Sequence, residues 1–199
     1  METANTIRAF WFGSNPDDPN LAQTRAQLWW HHDPQVDAQI KLRFESEVNK
    51  AANRQLDDWL KTPTGRLALI LLTDQFTRNI YRHTPQAFAT DSLARSWCNE
   101  GIHNGSHEQL RPIERVFFYL PLEHSESLVD QNRSVALFQS LAASVESKYR
   151  STFEDFEQFA IRHRNIIDRF GRFPHRNSIL GRESTPEEIE FLKQPDSSF

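Results

Sequence analysis

The chain has 199 residues and a formal net charge of −4, which is enough length to bury a core without metal or disulfide staples and too acidic a balance for general nucleic-acid affinity. Its single cysteine, Cys98, cannot form an internal disulfide and suits a reducing compartment. The first residues carry no basic leader and the longest aliphatic run, 67–72, is too short to span a bilayer, so we expect a soluble cytoplasmic protein with no membrane partner.

Helix punctuation recurs along the chain. Asp33-Pro34, Thr62-Pro63, Thr84-Pro85 and Thr185-Pro186 each place a capping residue before a proline, as at an N-cap and first helical position. Ser151 with Glu154 and Thr185 with Glu188 also have capping-box spacing. In chain order the signals predict helices over 6–12, 21–30, 34–53, 54–60, 64–81, 85–100, 112–119, 122–145, 152–170 and 186–193. The 67–72 segment is apolar on every side, so its helix should be central, whereas 45–58 is polar on most of its face and should be outer. The fold class is therefore all-α, built from stacked helical hairpins, of which 64–100 is the clearest. No linker or domain boundary is visible, so a single helical domain over 1–199 is expected. Phe10, Trp11, Phe12, Trp29 and Trp30 read as packing residues, in a chain whose 15 Phe and 5 Trp supply much of the apolar area.

One phrase occurs twice. Asp74-Gln75-Phe76-Thr77-Arg78 and Asp168-Arg169-Phe170-Gly171-Arg172 both read D-x-F-x-R, and each adds an arginine at the same offset, Arg82 and Arg176. The second copy lies in residues 162–182, which hold six arginines, two histidines and one acid, Asp168. A local cationic excess in an acidic chain needs carboxylates inside the fold or an anionic ligand. Arginine forks recognise both, and arginines make up 18 of the 23 basic residues.

The segments Phe10 to Gly13 (FWFG), LALILLTDQFTRNIYR from Leu67, PQAFATD from Pro85, FYLPLEHSE from Phe118 and RFGRFPHRNSILGRESTPEE from Arg169 together resemble the bacterial domain-of-unknown-function family 924, almost end to end. The resemblance implies an all-helical fold similar to tetratricopeptide-repeat solenoids, a right-handed superhelix, and supplies no activity. Members of the family commonly carry proline where this chain has Thr77. Proline there would kink or end the helix near Phe76, so the threonine leaves Arg78 and Asn79 either on that helix or just after it.

Three groups of residues are candidates for chemistry. Asp74, Gln75, Arg78 and Asn79 follow the apolar run; they line a pocket wall, or Asp74 locks two hairpins by pairing with the second D-x-F-x-R copy. Glu123, His124 and Glu126 follow Pro121, with His163 of similar status; they serve as an acid–base group or as a satisfied network with the arginines of 162–182. Arg169, Arg172, His175, Arg176 and Asn177 surround Gly171, a plausible helix C-terminus, and continue into a loop suited to carboxylate or phosphate. His124, His163 and His175 lack recognised metal-ligand spacing, and Cys98 lacks the cationic surroundings of a reactive thiolate; no metal and no cofactor is expected. The leading functional reading is a groove that binds a small anionic molecule or an acidic peptide end. The alternative is a small-molecule hydrolase or lyase using Glu123, His124 or His163 as acid and base. A third reading makes every polar group part of an interhelical network.

Overall fold

The computed structural model describes residues 2–195, 197 and 198, and among these there are helices and turns but no strand. Helices α1 (Ala4–Phe12), α2 (Asp18–Trp30), α3 (Pro34–Ala52) and α4 (Pro63–Ile70) come first. A π-helical turn, Leu71–Gln75, joins α4 to α5 (Phe76–Ile80), followed by α6 (Asp91–His103), α7 (Pro112–Glu123), α8 (Leu128–Ser144), α9 (Arg150–Phe170) and α10 (Pro186–Phe191). None of the described helices is long and apolar enough to cross a membrane.

Most of the predicted starts are made by the expected chemistry. Asp33, Thr62 and Thr185 each accept amide N–H bonds from the first turn of α3, α4 and α10, satisfying donors that have no intrahelical partner. Two signals work differently. Thr84 opens only a short 3-10 turn, Pro85–Phe88, and its hydroxyl donates back to the Tyr81 carbonyl at 2.7 Å, so the long helix starts later, at Asp91. The Ser151 and Glu154 box does not form, because α9 has already begun at Arg150. Residues 54–60, expected to be helical, are turns leading into a 3-10 segment, Asp57–Lys61, since Arg54 takes a positive φ of 61° just after α3.

The helix predicted as central is central. Leu67 through Leu72 are fully buried, and the core around them draws Ile7, Trp11 and Phe12 from α1, Phe44 and Val48 from α3, Trp97 from α6 and Phe117 and Phe118 from α7. Rings crowd Phe76 in particular, with Trp11 at 5.3 Å and Phe44 at 4.9 Å between centroids. Close approach of α6 to α4 and α7 requires Gly101, where a Cβ would lie 2.5 Å from the Phe118 ring and 2.6 Å from the Arg66 stem. Trp30 is about half exposed yet stacks on Phe117, 5.4 Å between centroids and 9° between planes. A second, smaller apolar cluster, Ile166, Ile167 and Phe173 with Phe170 and Phe191, fastens the last turns of α9 to the chain that follows.

Candidate functional site

The polar residues singled out in the sequence are brought together by two departures from regular helix. The first is the π-turn at Leu71–Gln75, which places Asp74, with no exposed surface, at the inner end of the central helix. In this wider turn the Thr73 carbonyl accepts from the hydroxyls of Thr90 (2.6 Å) and Thr77 (3.2 Å). Thr77 thus stays in helix α5, and Arg78 and Asn79 with it. The second departure concerns Pro121. It was expected to separate a helix ending near Tyr119 from a long one over 122–145, but α7 continues through it to Glu123, and the break falls at residues 124–127. Pro121 lacks the amide that would bond the Phe117 carbonyl, and α7 continues through it because Phe117, Phe118, Tyr119, Leu120 and Leu122 are all buried in the core, so packing overrides the local preference. The final carbonyls of α7 are then taken up by side chains from elsewhere. Gln131 Nε2 donates to the carbonyls of Glu123 (2.5 Å) and Ser125 (2.7 Å), and Arg176 Nη1 donates to that of His124 (3.0 Å).

His124 Nδ1 lies 2.8 Å from Asp74 Oδ1, Gln75 Nε2 donates to Asp74 Oδ2 at 2.6 Å, and Arg78 Nη1 is 3.3 Å from Oδ1. Burial alone would raise the Asp74 carboxyl, but Arg78 and His124 outweigh it and hold it well below the usual carboxylate range. His124 moves the other way from an ion-pair partner: burial, aided by Arg78 and Arg176, lowers it despite Asp74. At neutral pH, therefore, Asp74 is ionised and His124 is neutral. Since the carboxylate has no proton to give, the proton in their bond is the one on Nδ1, and the other ring nitrogen, Nε2, carries a bare lone pair. Nε2 forms no hydrogen bond to the described residues, and the side chain keeps 15% of its exposure.

Behind this pair sit Glu123 and His163. His163 Nδ1 donates to the Phe159 carbonyl at 2.9 Å and lies 3.1 Å from Glu123 Oε1. Burial, with the Asp74 charge added, pushes the Glu123 carboxyl up to about 8. Burial also lowers His163 to about 3. The contact is thus one between a neutral carboxylic acid and a neutral imidazole, not an ion pair.

The chain after α9 closes over these groups. Gly171 ends α9 in the left-handed region (φ +68°), as its position suggested, and residues 172–182 run back across the end of α7. Glu126 holds this strap in place, accepting from the Phe173 amide (2.8 Å) and from both terminal nitrogens of Arg182 (2.7 and 2.9 Å). A 3-10 turn, Pro174–Arg176, then inserts Arg176, 6% exposed, between the rings of Phe88 and Phe173, 4.9 and 4.4 Å from their centroids. Among the described residues its guanidinium forms no hydrogen bond to a carboxylate. The nearest is Asp91, at 3.7 Å, and Asp91 is already bonded through both oxygens to Arg78 at 2.9 Å. Arg176 Nε has no partner at all among the described residues. Burial and the neighbouring Arg78 lower the Arg176 guanidinium to about 10, the mark of a cation not fully compensated. His175 beside it is lowered to about 4 by burial and by Arg176. The three histidines do converge: His124 and His163 are 6.3 Å apart, and the Phe173 ring lies 5.7 Å from His163 and 5.6 Å from His175.

The expected exchange of ion pairs between the two D-x-F-x-R copies does not occur. Asp74 keeps its own Arg78, while Arg169 pairs with Glu187 and Arg172 with Glu188, both in the first turn of α10. Loop closure favours this arrangement, because α10 begins within a few residues of the strap and its carboxylates are the nearest available. Asn177 also belongs to this outer network, donating to Ser184 at 3.0 Å and Glu188 at 3.3 Å. Asn79 and Arg82 face α3 instead, where both bind Asp37. Glu123, expected to meet an arginine, meets His163 because it lies beneath the strap. Asp91, Phe88 and Phe173 were not anticipated. Asp91 falls inside the helix predicted over 85–100 and is in fact in the first turn of α6, and nothing local says which guanidinium it faces. Cys98 is buried and burial raises its thiol far above the range of a reactive thiolate. Two open depressions, one between α2 and the start of α9 and one along α3, lie away from the cluster. Among the described residues no group of three or more His, Cys, Asp or Glu is arranged to hold a metal ion.

The comparisons with known proteins agree with this fold. The profile of a bacterial protein family of unknown function, DUF924, matches residues 7–196. A solved structure, that of the protein of unknown function ATU0120 from Agrobacterium tumefaciens, is 39% identical, with 96% of each chain covered and a TM-score of 0.77. A search of curated proteins finds no match. With nearly all of its length matched by one profile, the chain belongs to the DUF924 family.

Proposed function

We propose that the protein binds a small anionic molecule at Arg176, above the Asp74–His124 pair. The observation that carries this reading is the state of Arg176: a guanidinium that is nine-tenths buried, lies between two aromatic rings, and has neither a bonded carboxylate nor a partner for Nε. Removing such a charge from water without pairing it is costly, and an oxyanion would supply the missing acceptors. An acidic peptide end is less well supported, because it needs several uncommitted cations along a groove, whereas Arg169, Arg172 and Arg182 are each held by a carboxylate. The acid–base reading has its own support in the Asp74–His124 bond, which holds an imidazole by Nδ1 and leaves the Nε2 lone pair unengaged, the arrangement a general base needs.

Phosphate, at ionic strength matched with sodium chloride, should raise the melting temperature of the wild-type protein by mass action on the native state. Arg176→Gln should abolish that shift, and Arg172→Gln, in the outer network, should keep it. Equal shifts in wild type and Arg176→Gln would contradict the reading, as would the absence of stoichiometric phosphate binding to the wild type in calorimetry.

A further inference from the structure

We infer that the site selects oxyanions that still carry a proton, of which hydrogen phosphate is the simplest, over fully ionised oxyanions such as sulfate. The inference rests on the anion-binding reading above and deepens it. Two different nitrogens offer themselves to a ligand here. Arg176 Nε is a buried donor in want of an acceptor, and His124 Nε2 is an acceptor with no donor from the described residues, because Asp74 holds the single imidazole proton on Nδ1, 2.8 Å away. The residues touch one another, with Arg176 Nη1 bonded to the His124 carbonyl at 3.0 Å, and the selectivity requires the two nitrogens to lie within reach of one small ligand. A ligand that satisfies both must present a negatively charged oxygen to the guanidinium and an O–H to the imidazole. Both phosphate species present near neutral pH have at least one O–H. Sulfate has none, and its oxygen would meet the imidazole lone pair with two acceptors face to face.

The groups around His124 keep it in this state at neutral pH. Asp74 and Arg78 face it from the π-turn and α5, His163 from α9, and Arg176 with His175 from the strap; Asp91 of α6 stands beyond Arg78, and Glu123 precedes it on α7. Asp74 stays ionised to well below pH 4, and His163 and His175 are neutral down to about 3 and about 4. Glu123 stays protonated up to about 8. His124 is therefore the histidine of this cluster whose protonation alters the site as the solution is acidified from pH 7.5. Once protonated, it donates from both nitrogens, and the preference for a proton-bearing anion should disappear or reverse.

Isothermal titration of the full chain with sodium phosphate and with sodium sulfate, at pH 7.5 and constant ionic strength, tests this. Phosphate should bind at least about tenfold more tightly, the factor expected when the imidazole acceptor meets an O–H in one complex and a second acceptor in the other. In His124→Gln, whose amide can donate or accept, the ratio should fall to near one while sulfate binding improves. On the wild type alone, acidification should narrow the ratio as His124 gains its second proton. Sulfate and phosphate binding within about twofold of each other at pH 7.5 would overturn the selectivity and leave the anion site standing. Failure of both anions to bind would remove the anion reading itself. Tight phosphate binding that persists unchanged in His124→Gln would show that Arg176 acts without the imidazole.

Discussion

Two clusters of charge sit side by side in this molecule and are built differently. In the outer one, around α10 and the strap, each arginine meets a carboxylate suited to it: Arg172 reaches both oxygens of Glu188 at 2.7 and 2.8 Å, and Arg182 both oxygens of Glu126. Glu188 also accepts from the Thr185 amide at 2.7 Å, and these bonds hold its carboxyl down to about 2, Arg172 first among them. In the inner cluster the counts do not match. Asp74 is shared among three donors, Glu123 keeps its proton, His124 keeps a bare nitrogen and Arg176 lacks a bonded carboxylate. The comparison teaches that Arg169, Arg172 and Arg182 are each neutralised by a carboxylate of the fold, whereas Arg176 is buried with the His124 carbonyl and two rings about it and no bonded carboxylate. Buried groups left incompletely paired are costly, and they concentrate where proteins bind or react.

Breaking the inner cluster should have the largest effect. Asp74→Ala leaves His124 and a share of Arg78 without the buried carboxylate between them, at a cost of about 3–5 kcal/mol in urea melts. Arg172→Ala opens a pair whose arginine is partly exposed and whose Glu188 keeps its Thr185 and Asn177 donors, so it should cost less. Because the two residues share no partner, the double mutant should equal the sum within about 0.5 kcal/mol. A strong departure from additivity would mean that the two clusters are one network.

Glu123 offers a pH-dependent test with a defined sign. Its folded pKa, about 8, is raised above the ordinary carboxylate value, so its contribution is fully present below that ordinary value and is lost as pH rises toward 8. Glu123→Gln keeps the shape and removes the titration. It should therefore melt close to wild type at pH 5 and above wild type at pH 8, with each kcal/mol worth about 2–4 °C in a chain of this size. Equal pH slopes for the two proteins would show that the carboxyl is ionised in the fold, and that the His163 contact is an ion pair after all.

The smallest effect belongs to the junction between the clusters. Gly171→Ala meets no atom within 4 Å, so only the left-handed backbone opposes it, at about 1 kcal/mol. A much larger loss would mean that the strap depends on this turn for more than its direction.

How much of this was legible follows from the range of each interaction. Thr62-Pro63, Thr185-Pro186 and Gly171 act on their own first or last turn, so local chemistry announces them, and the apolar run at 67–72 announces a central helix by its composition. The π-turn has no such signature, because it arises where Thr90, from a distant segment, can take the Thr73 carbonyl. Pro121 misled for a related reason: proline opposes a helix interior, yet the buried residues on either side of it, Phe117 to Leu120 and Leu122, hold α7 together through long-range packing. The residues of the candidate site were largely visible as residues, since Asp74, Glu123, His124, His163 and Arg176 all stood out by type and setting. Their partners were not, because each pairing joins segments far apart in the chain, as Arg176 with His124 shows.

The central claim is that the inner cluster is a site for an anion and the outer one is not. A crystal structure of the protein soaked in phosphate tests it most directly. The account predicts one tetrahedral anion within hydrogen-bond distance of Arg176 Nε and His124 Nε2, with the Arg172–Glu188 and Arg182–Glu126 pairs undisturbed. Phosphate bound instead at Arg172 or Arg182, or a fully occupied lattice with no anion at Arg176, would contradict it.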